Sequence, residues 1–333
     1  MDLTIAETIE NFLDIVQMAR SPNTSRTYRN AMNAFRSTLA LREMPSHATK
    51  INALDETAVA WLCEDLKVYS PATENLYITV VAGYFEYLSA ERLTEVNLPR
   101  MRMLIRQRAR RPGQRLPQFP RDDIEEILNY AINYANSIKR KTSNSGKIEL
   151  DVLRTLRDCA FLITLADSGL RVHEICRLRR GDIDWNEGKA LIIGKGNRED
   201  LIRISSRSMA ALRDYLNARN FLDGATGKPL ASLPIFARHD RGAGKKIEPI
   251  TTRTGQNIIN FWSLQALGKE TAGLITPHSF RHYFVTRVLM GSGNLKLAQV
   301  LARHRNITVT QRYAHVADDE LDRGYFKVFE NRK

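Results

Sequence analysis

The chain has 333 residues and carries 50 Lys and Arg against 37 Asp and Glu, a formal net charge of +13 at pH 7. That length fits two domains of ordinary size, each able to bury its own core. With 43% apolar and 26% charged residues the balance is that of a soluble globular chain, and no apolar run reaches the roughly 18–20 residues of a membrane span.

The N-terminus, "MDLTIAETIENF", is acidic and amphipathic and does not read as a signal peptide. Cys63, Cys159 and Cys176 lie far apart, which excludes a disulfide framework and a clustered zinc site and fits reduced thiols in a cytosol. The positive field favours polyanionic partners, nucleic acid ahead of an anionic membrane, over a basic surface that is merely solvated.

Residues 1–98 read as helices. "TIAETIENFLDIVQMA" places Ile5, Ile9, Phe12, Leu13 and Val16 at helical spacing. "TSRTYRNAMNAFRSTL" repeats the pattern with Thr24 or Ser25 as N-cap. "DETAVAWLCEDLKVY" is a third helix. A fourth is "SPATENLYITVVAGYFEYLSAE", with Ser70 as cap and Pro71 at the first helical position.

Residues 99–119, "PRMRMLIRQRARRPGQRLPQF", change character. They carry Arg102, Arg106, Arg108, Arg110, Arg111 and Arg115, no acid, and prolines that limit regular structure. The stretch reads as an extended inter-domain linker. Like charges repel along a tether unless something neutralises them, so a phosphate-tracking linker is favoured over a flexible one.

Residues 120–333 form the second domain. "RDDIEEILNYAINYA" is a helix with acids in its first turn, as the helix dipole favours. "KRKTSNSGK" reads as a polar loop and "LDVLRTLRDCAFLITLADSG" as a buried helix. "DWNEGKALIIGKGNREDLIRI" alternates, turns near Gly194–Gly196 and alternates again, the pattern of a β-hairpin or small sheet. Helices resume at "SRSMAALRDYLNARN" and "TRTGQNIINFWSLQAL", then run from His278 toward the end. The fold class is therefore mainly α with a small β-sheet (α+β).

Phosphate loops drop out early. "GKALIIGKGN" and "GATGKP" lack the required glycine-lysine-hydroxyl spacing, and the seven histidines show no zinc-ligand spacing. What remains is a set of basic groups at turns and helix ends. Arg171 follows a helix that ends at a glycine, and Lys195 sits at the hairpin tip. His278 and Arg281 lie one turn apart, so both face one side. His304 follows. Such groups repel one another unless an anion sits among them, and a phosphodiester is such an anion.

Tyr313, in "ARHRNITVTQRYAH", is on its own either a core aromatic or a reagent. A phenol with a pKa of about 10 is a poor nucleophile at neutral pH unless its anion is stabilised, which a cationic cluster does. Chemistry of this kind needs no metal and no other cofactor.

"GLRVHEI", "IGKGNRED", "TPHSFRH" and "TVTQRYAHV" stand in an order and at spacings that resemble the tyrosine recombinase (phage-type integrase) family. The resemblance covers most of the chain and is strongest over 166–316. It implies an N-terminal helical, SAM-like core-binding domain, followed by a catalytic domain. It implies a site-specific DNA recombinase that cleaves and rejoins DNA through a 3′-phosphotyrosyl link, without metal or ATP.

The roles it implies fall on Arg171 and Arg281 as scissile-phosphate ligands and on Lys195 as the acid that protonates the leaving 5′-oxygen. His278 would assist proton transfer, His304 would hydrogen-bond the phosphate, and Tyr313 would attack. Glu174 matches an acidic position that braces the cluster, or is only an ion-pair partner. His282 and His315 read as structural.

Two departures stand out. Phe280 replaces a leucine, and Arg303 stands where the family has glycine, so it changes a tight turn or adds a phosphate contact.

The tail, "VADDELDRGYFKVFENRK", carries Leu321, Tyr325, Phe326 and Phe329 at helical spacing. It either folds back on its own domain or docks in a neighbouring protomer, which would give a tetramer on two double-stranded DNA sites. The chain begins close to its first helix, which leaves no room for a further N-terminal arm-site domain and favours simple recombination sites. The expected location is the cytoplasm of a prokaryote, at the nucleoid, with no membrane partner. The rival readings are a type IB topoisomerase-like or telomere-resolving enzyme, and a non-catalytic DNA-binding regulator on the same fold.

Overall fold

The computed structural model describes residues 3–110, 121–142, 150–194, 199–240, 242, 246–304, 306 and 310–311. The chain divides into two compact units, Met1–Arg115 and Leu116–Lys333. The described residues are mainly helical with one small antiparallel sheet, the fold class read from the sequence.

The first unit holds α1 (Ile5–Ala19), α2 (Pro22–Ala40), α3 (Thr57–Asp65), α4 (Pro71–Ala90) and α5 (Leu98–Arg108). A capping box between Thr4 and Glu7 starts α1, whose face of Ile5, Ile9, Phe12, Leu13 and Val16 is buried as its spacing requires. Phe35, Tyr84 and Phe85 fill the centre, and the Tyr84 hydroxyl lies 2.6 Å from that of Thr8, so the buried polar group is satisfied.

The cap of α2 is Ser21, not Thr24 or Ser25. Pro22 at the first helical position needs no hydrogen-bond partner, so the helix starts directly after Ser21. Ser70 and Pro71 start α4 in the same way, as the sequence indicated.

The extended linker expected over residues 99–119 is corrected in its first half, because Leu98–Arg108 is helical; residues 111–119 lie outside the described residues. Met101 and Leu104 are buried, and Arg100, Arg102, Arg108 and Arg110 meet acids of their own unit. Arg100 pairs with Glu56 at 2.7 Å and Arg102 with Glu86 at 3.1 Å. Arg108 pairs with Glu64, and Arg110 with Glu74. The self-repulsion that suggested an extended tether is thus relieved locally, by acids distant in sequence.

Glu74 is fully buried. It accepts hydrogen bonds from the Arg110 backbone at 2.9 Å, from the Arg110 side chain, and from Lys67 at 3.0 Å. Burial pushes its carboxyl up, but the Arg110 and Lys67 hydrogen bonds outweigh this and hold it below the usual range.

The second unit holds α6 (Arg121–Thr142), α7 (Leu150–Ser168), α8 (Val172–Arg177), β1 (Ile183–Asp184), β2 (Lys189–Ile193), β3 (Glu199–Arg203), α9 (Ser206–Gly224), α10 (Thr252–Leu267), α11 (Pro277–Ser292) and α12 (Leu295–Ala302). Almost every residue of α7 is buried, and α6, α9 and α11 pack around it. The sheet has order β1-β2-β3, with Ala190 opposite Ile202. Ala190, Ile192 and Ile202 face the core while Leu191, Ile193 and Leu201 face out, the period-2 alternation visible in the sequence. Cys63, Cys159 and Cys176 are free and buried, and burial pushes the Cys159 and Cys176 thiols to about 12.

Between α9 and α10, Leu233, Ile235, Phe236 and Ala237 are core residues, held by charged groups that are themselves buried. Arg219 donates to the Pro234 and Ile235 carbonyls, both at 2.8 Å, and pairs with Asp223. The Tyr215 hydroxyl meets His239 Nε2 at 2.8 Å. Burial, with Arg157 and Arg219 nearby, pushes His239 down to about 3, so it is neutral in the core. Among the described residues, no helix is long and apolar enough to cross a membrane.

Glu74→Gln removes a buried anion but keeps its shape, and at pH 7 it is expected to destabilise the protein by about 1–3 kcal/mol. A carboxyl held low contributes stability above its unfolded pKa of about 4.3 and loses it as pH falls through the lower folded value. Urea unfolding should therefore show the wild-type advantage at pH 7 shrinking below about pH 4. An advantage that stays constant with pH would assign the effect to packing.

Candidate active site

The site starts where α7 ends. Gly169 takes a left-handed φ of +61°, and a Cβ there would lie 2.3 Å from the Phe284 ring. Only glycine fits both the backbone and the space. The turn delivers Arg171 to the N-cap of α8, one turn before Glu174.

Glu174 is buried and accepts three hydrogen bonds. Its Oε1 takes Arg171 Nη1 at 2.9 Å, and its Oε2 takes the Arg171 backbone at 2.8 Å and Arg303 Nη2 at 2.8 Å. Burial raises its pKa, but the Arg303 charge and the bonds from Arg171 and Arg303 outweigh this and hold the carboxyl low. Glu174 thus braces two arginines rather than forming a loose surface pair.

Thr276 and Pro277 start α11, and this puts His278 and Arg281 one turn apart on it. Arg281 is buried, and its two terminal nitrogens donate to the carbonyls of Gly169 and Ala302. It therefore ties the turn before Arg171 to the end of α12. The His278 and His282 rings meet edge to face, centroids 4.2 Å apart.

The end of α12 carries His304. Its backbone N–H reaches the Gln299 carbonyl at 3.0 Å and that of Arg303 reaches Val300 at 3.0 Å, a Schellman pair. Arg303 holds φ 55°, ψ 44°, the left-handed position that glycine takes most easily, at a cost of about 1 kcal/mol for a residue with a Cβ. The turn survives the absence of glycine. His304 Nδ1 lies 2.9 Å from the Thr310 hydroxyl, which orients the ring.

These groups act on one another. Burial pushes His304 down to about 4, and the charges of Arg281 and Arg171 and the nearby His278 and His282 push the same way. His282 falls to about 4 through burial, His278 and Arg281. His278 is lowered by burial and then by Arg281 and Arg171. Neutral imidazoles beside permanent guanidiniums form a receptor for an anion, because a bound negative charge favours every member.

Arg171, Glu174, His278, Arg281 and His304 are therefore brought together from three separate segments. Lys195 and Tyr313 lie outside the described residues, as do Arg111, Arg115 and the tail. The sequence reading missed His282 as a member of the cluster and Arg303 as a partner of Glu174. The first has a signal, a second histidine one turn after His278 on the same helix; the second has none. Among the described residues, no three His, Cys, Asp or Glu side chains group to hold a metal ion.

Comparison with known proteins gives the family of the chain. The profile of the Phage integrase family matches residues 121–320. Tyrosine recombinase XerC of Halalkalibacterium halodurans is 26% identical over 325 residues, 96% of each chain. Tyrosine recombinase XerD of Yersinia pestis is 27% identical over 318 residues, 94% of each. In fold, the chain resembles XerH site-specific recombinase bound to palindromic difH substrate, with TM-score 0.66 and 16% identity over 96% of this chain and 83% of that one. The Tn1549 transposon integrase in complex with a circular intermediate DNA gives TM-score 0.65 at 16% identity, over 96% and 99%. The family profile spans most of the unit that carries the cationic cluster, and the chain accordingly belongs to the phage integrase family, as a tyrosine-type site-specific recombinase.

Proposed function

We propose that this recombinase cuts and reseals duplex DNA through the following division of labour. Arg171 and Arg281 hold the non-bridging oxygens of the scissile phosphate. Tyr313 attacks phosphorus, and His278 assists proton transfer with its hydroxyl. The Tyr313 oxygen–phosphorus bond forms as the bond to the 5′-oxygen breaks. Lys195 protonates that oxygen, and His304 hydrogen-bonds the phosphate as its charge grows. The products are a 3′-phosphotyrosyl link and a free 5′-hydroxyl, so the phosphodiester energy is kept and a second 5′-hydroxyl can reverse the step without ATP. The observation that carries this reading is the convergence of Arg171, Arg281 and neutral imidazoles on one locus, with Arg171 braced by the Glu174 carboxylate.

Double-stranded DNA is the partner, and phosphate contacts supply most of the affinity, which falls steeply with salt. Arg106 is exposed and Arg102 shares an exposed pair, so these contact phosphates together with Arg111 and Arg115. Arg108 and Arg110 serve first to hold α5 to its unit. Strand exchange on two duplexes calls for four protomers, joined through the tail that carries Tyr325 and Phe329. The location is the bacterial cytoplasm, at the nucleoid.

A pool of nicked suicide duplexes with randomised arms tests the chemistry. The wild type should form a covalent DNA adduct on a denaturing gel, undiminished by EDTA, and sequencing the adducts should return one preferred site. Tyr313→Phe should bind the same duplexes and form no adduct. An adduct in that variant overturns the choice of nucleophile. Adducts without site preference, with relaxation of supercoiled DNA, would move the reading to a type IB topoisomerase.

The lowered imidazoles give a second test. A phosphodiester beside them raises their pKa, so binding takes up protons between the free values near 4 and the ordinary value near 6.5. Calorimetry at pH 5.5 in buffers of different ionisation enthalpy should show proton uptake, reduced in His304→Asn. Binding with no proton uptake would place the phosphate away from this cluster.

A further inference from the structure

Arg303 occupies an unfavourable position on two counts. It adopts the left-handed conformation at the end of α12. Its side chain is only 9% exposed, and Nε and Nη1 are buried without a hydrogen-bond partner among the described residues. Among the described residues its hydrogen bond is the 2.8 Å bond from Nη2 to Glu174, 129 residues away in sequence. A strained residue with unsatisfied donors persists where the surrounding structure requires it.

Two arginines pin the end of α12. Arg281 does so from α11 through the Ala302 carbonyl. Arg303 does so from the turn itself, through Glu174, to the start of α8. The proposed role of Arg281 as a phosphate ligand draws its guanidinium toward the DNA, whereas Arg303 has no such duty and holds the turn independently.

We propose that Arg303 is a positioning residue for the recombination chemistry. It clamps the turn bearing His304 to the Arg171 loop through the shared Glu174 carboxylate, so that both groups meet one phosphate in a fixed relation. The catalytic part of this inference rests on the function proposed above; the clamp itself does not.

The test compares wild type, Arg303→Gly, Arg303→Lys, Glu174→Gln and the Arg303→Gly/Glu174→Gln double variant. Glycine suits the backbone, so Arg303→Gly is expected to keep the turn and the fold. Its duplex affinity should stay within about threefold, because Arg303 is buried against Glu174 and holds no phosphate. Single-turnover cleavage of the nicked duplex should slow by about 10–100-fold, the scale of a small misplacement at a reacting centre. Arg303→Lys should recover part of the rate. The double variant should be no slower than Glu174→Gln, since coupled residues do not add.

A second arm needs no cleavage. The His304 ring, which faces Arg171, Arg281, His278 and His282, should titrate in NMR spectra at a higher pH in Arg303→Gly than in wild type, because a loosened turn admits water. An unchanged rate together with an unchanged titration overturns the clamp, as does additivity in the double variant. A wild type that forms no adduct overturns the recombinase chemistry, and the NMR arm then still decides the clamp: an upward move supports it, no move refutes it.

Discussion

The second unit turns on one carboxylate out of reach of water. Glu174 accepts bonds from the side chain and backbone of Arg171 and from Arg303, groups that arrive from opposite ends of the unit. A buried anion needs such partners, since an unpaired one would neutralise instead. Its presence sets where the two guanidiniums lie, and through the turn at Arg303 it sets where His304 begins.

The same electrostatic rule works in both units with different results. In the first, arginines of α5 find acids on the neighbouring helices, and Glu74 forms a closed pair with Arg110 and Lys67. Basic charge there is consumed in holding a helix. In the second, Glu174 is the acid that the cations of the cluster share, and they outnumber it. Burial first, and that surplus after it, depress the imidazole pKa values, and under the proposed function the imbalance favours a bound phosphate. The net charge of +13 cannot distinguish the two uses.

Backbone constraints support this arrangement at two turns. Gly169 lets the chain pass the Phe284 ring and present Arg171. Arg303 accepts a left-handed conformation to close α12. One turn uses the residue that physics favours. The other replaces it with a side chain whose ion pair offsets the local strain.

Much of this was legible in the sequence. Helical spacing located α1, α4 and α7, alternation located β2 and β3, and Ser70 with Pro71 marked a helix start, because these patterns depend only on near neighbours. The ordered motifs named Arg171, His278, Arg281 and His304, and the family profile bears out the membership they implied. Tertiary structure alone decided the rest. That Arg108 and Arg110 hold a helix, that Arg219 and Asp223 staple the stretch after α9, and that Arg303 meets Glu174 are facts of long-range pairing. No local pattern encodes which distant acid a cation will find, because that choice is made when the core packs and brings the two together.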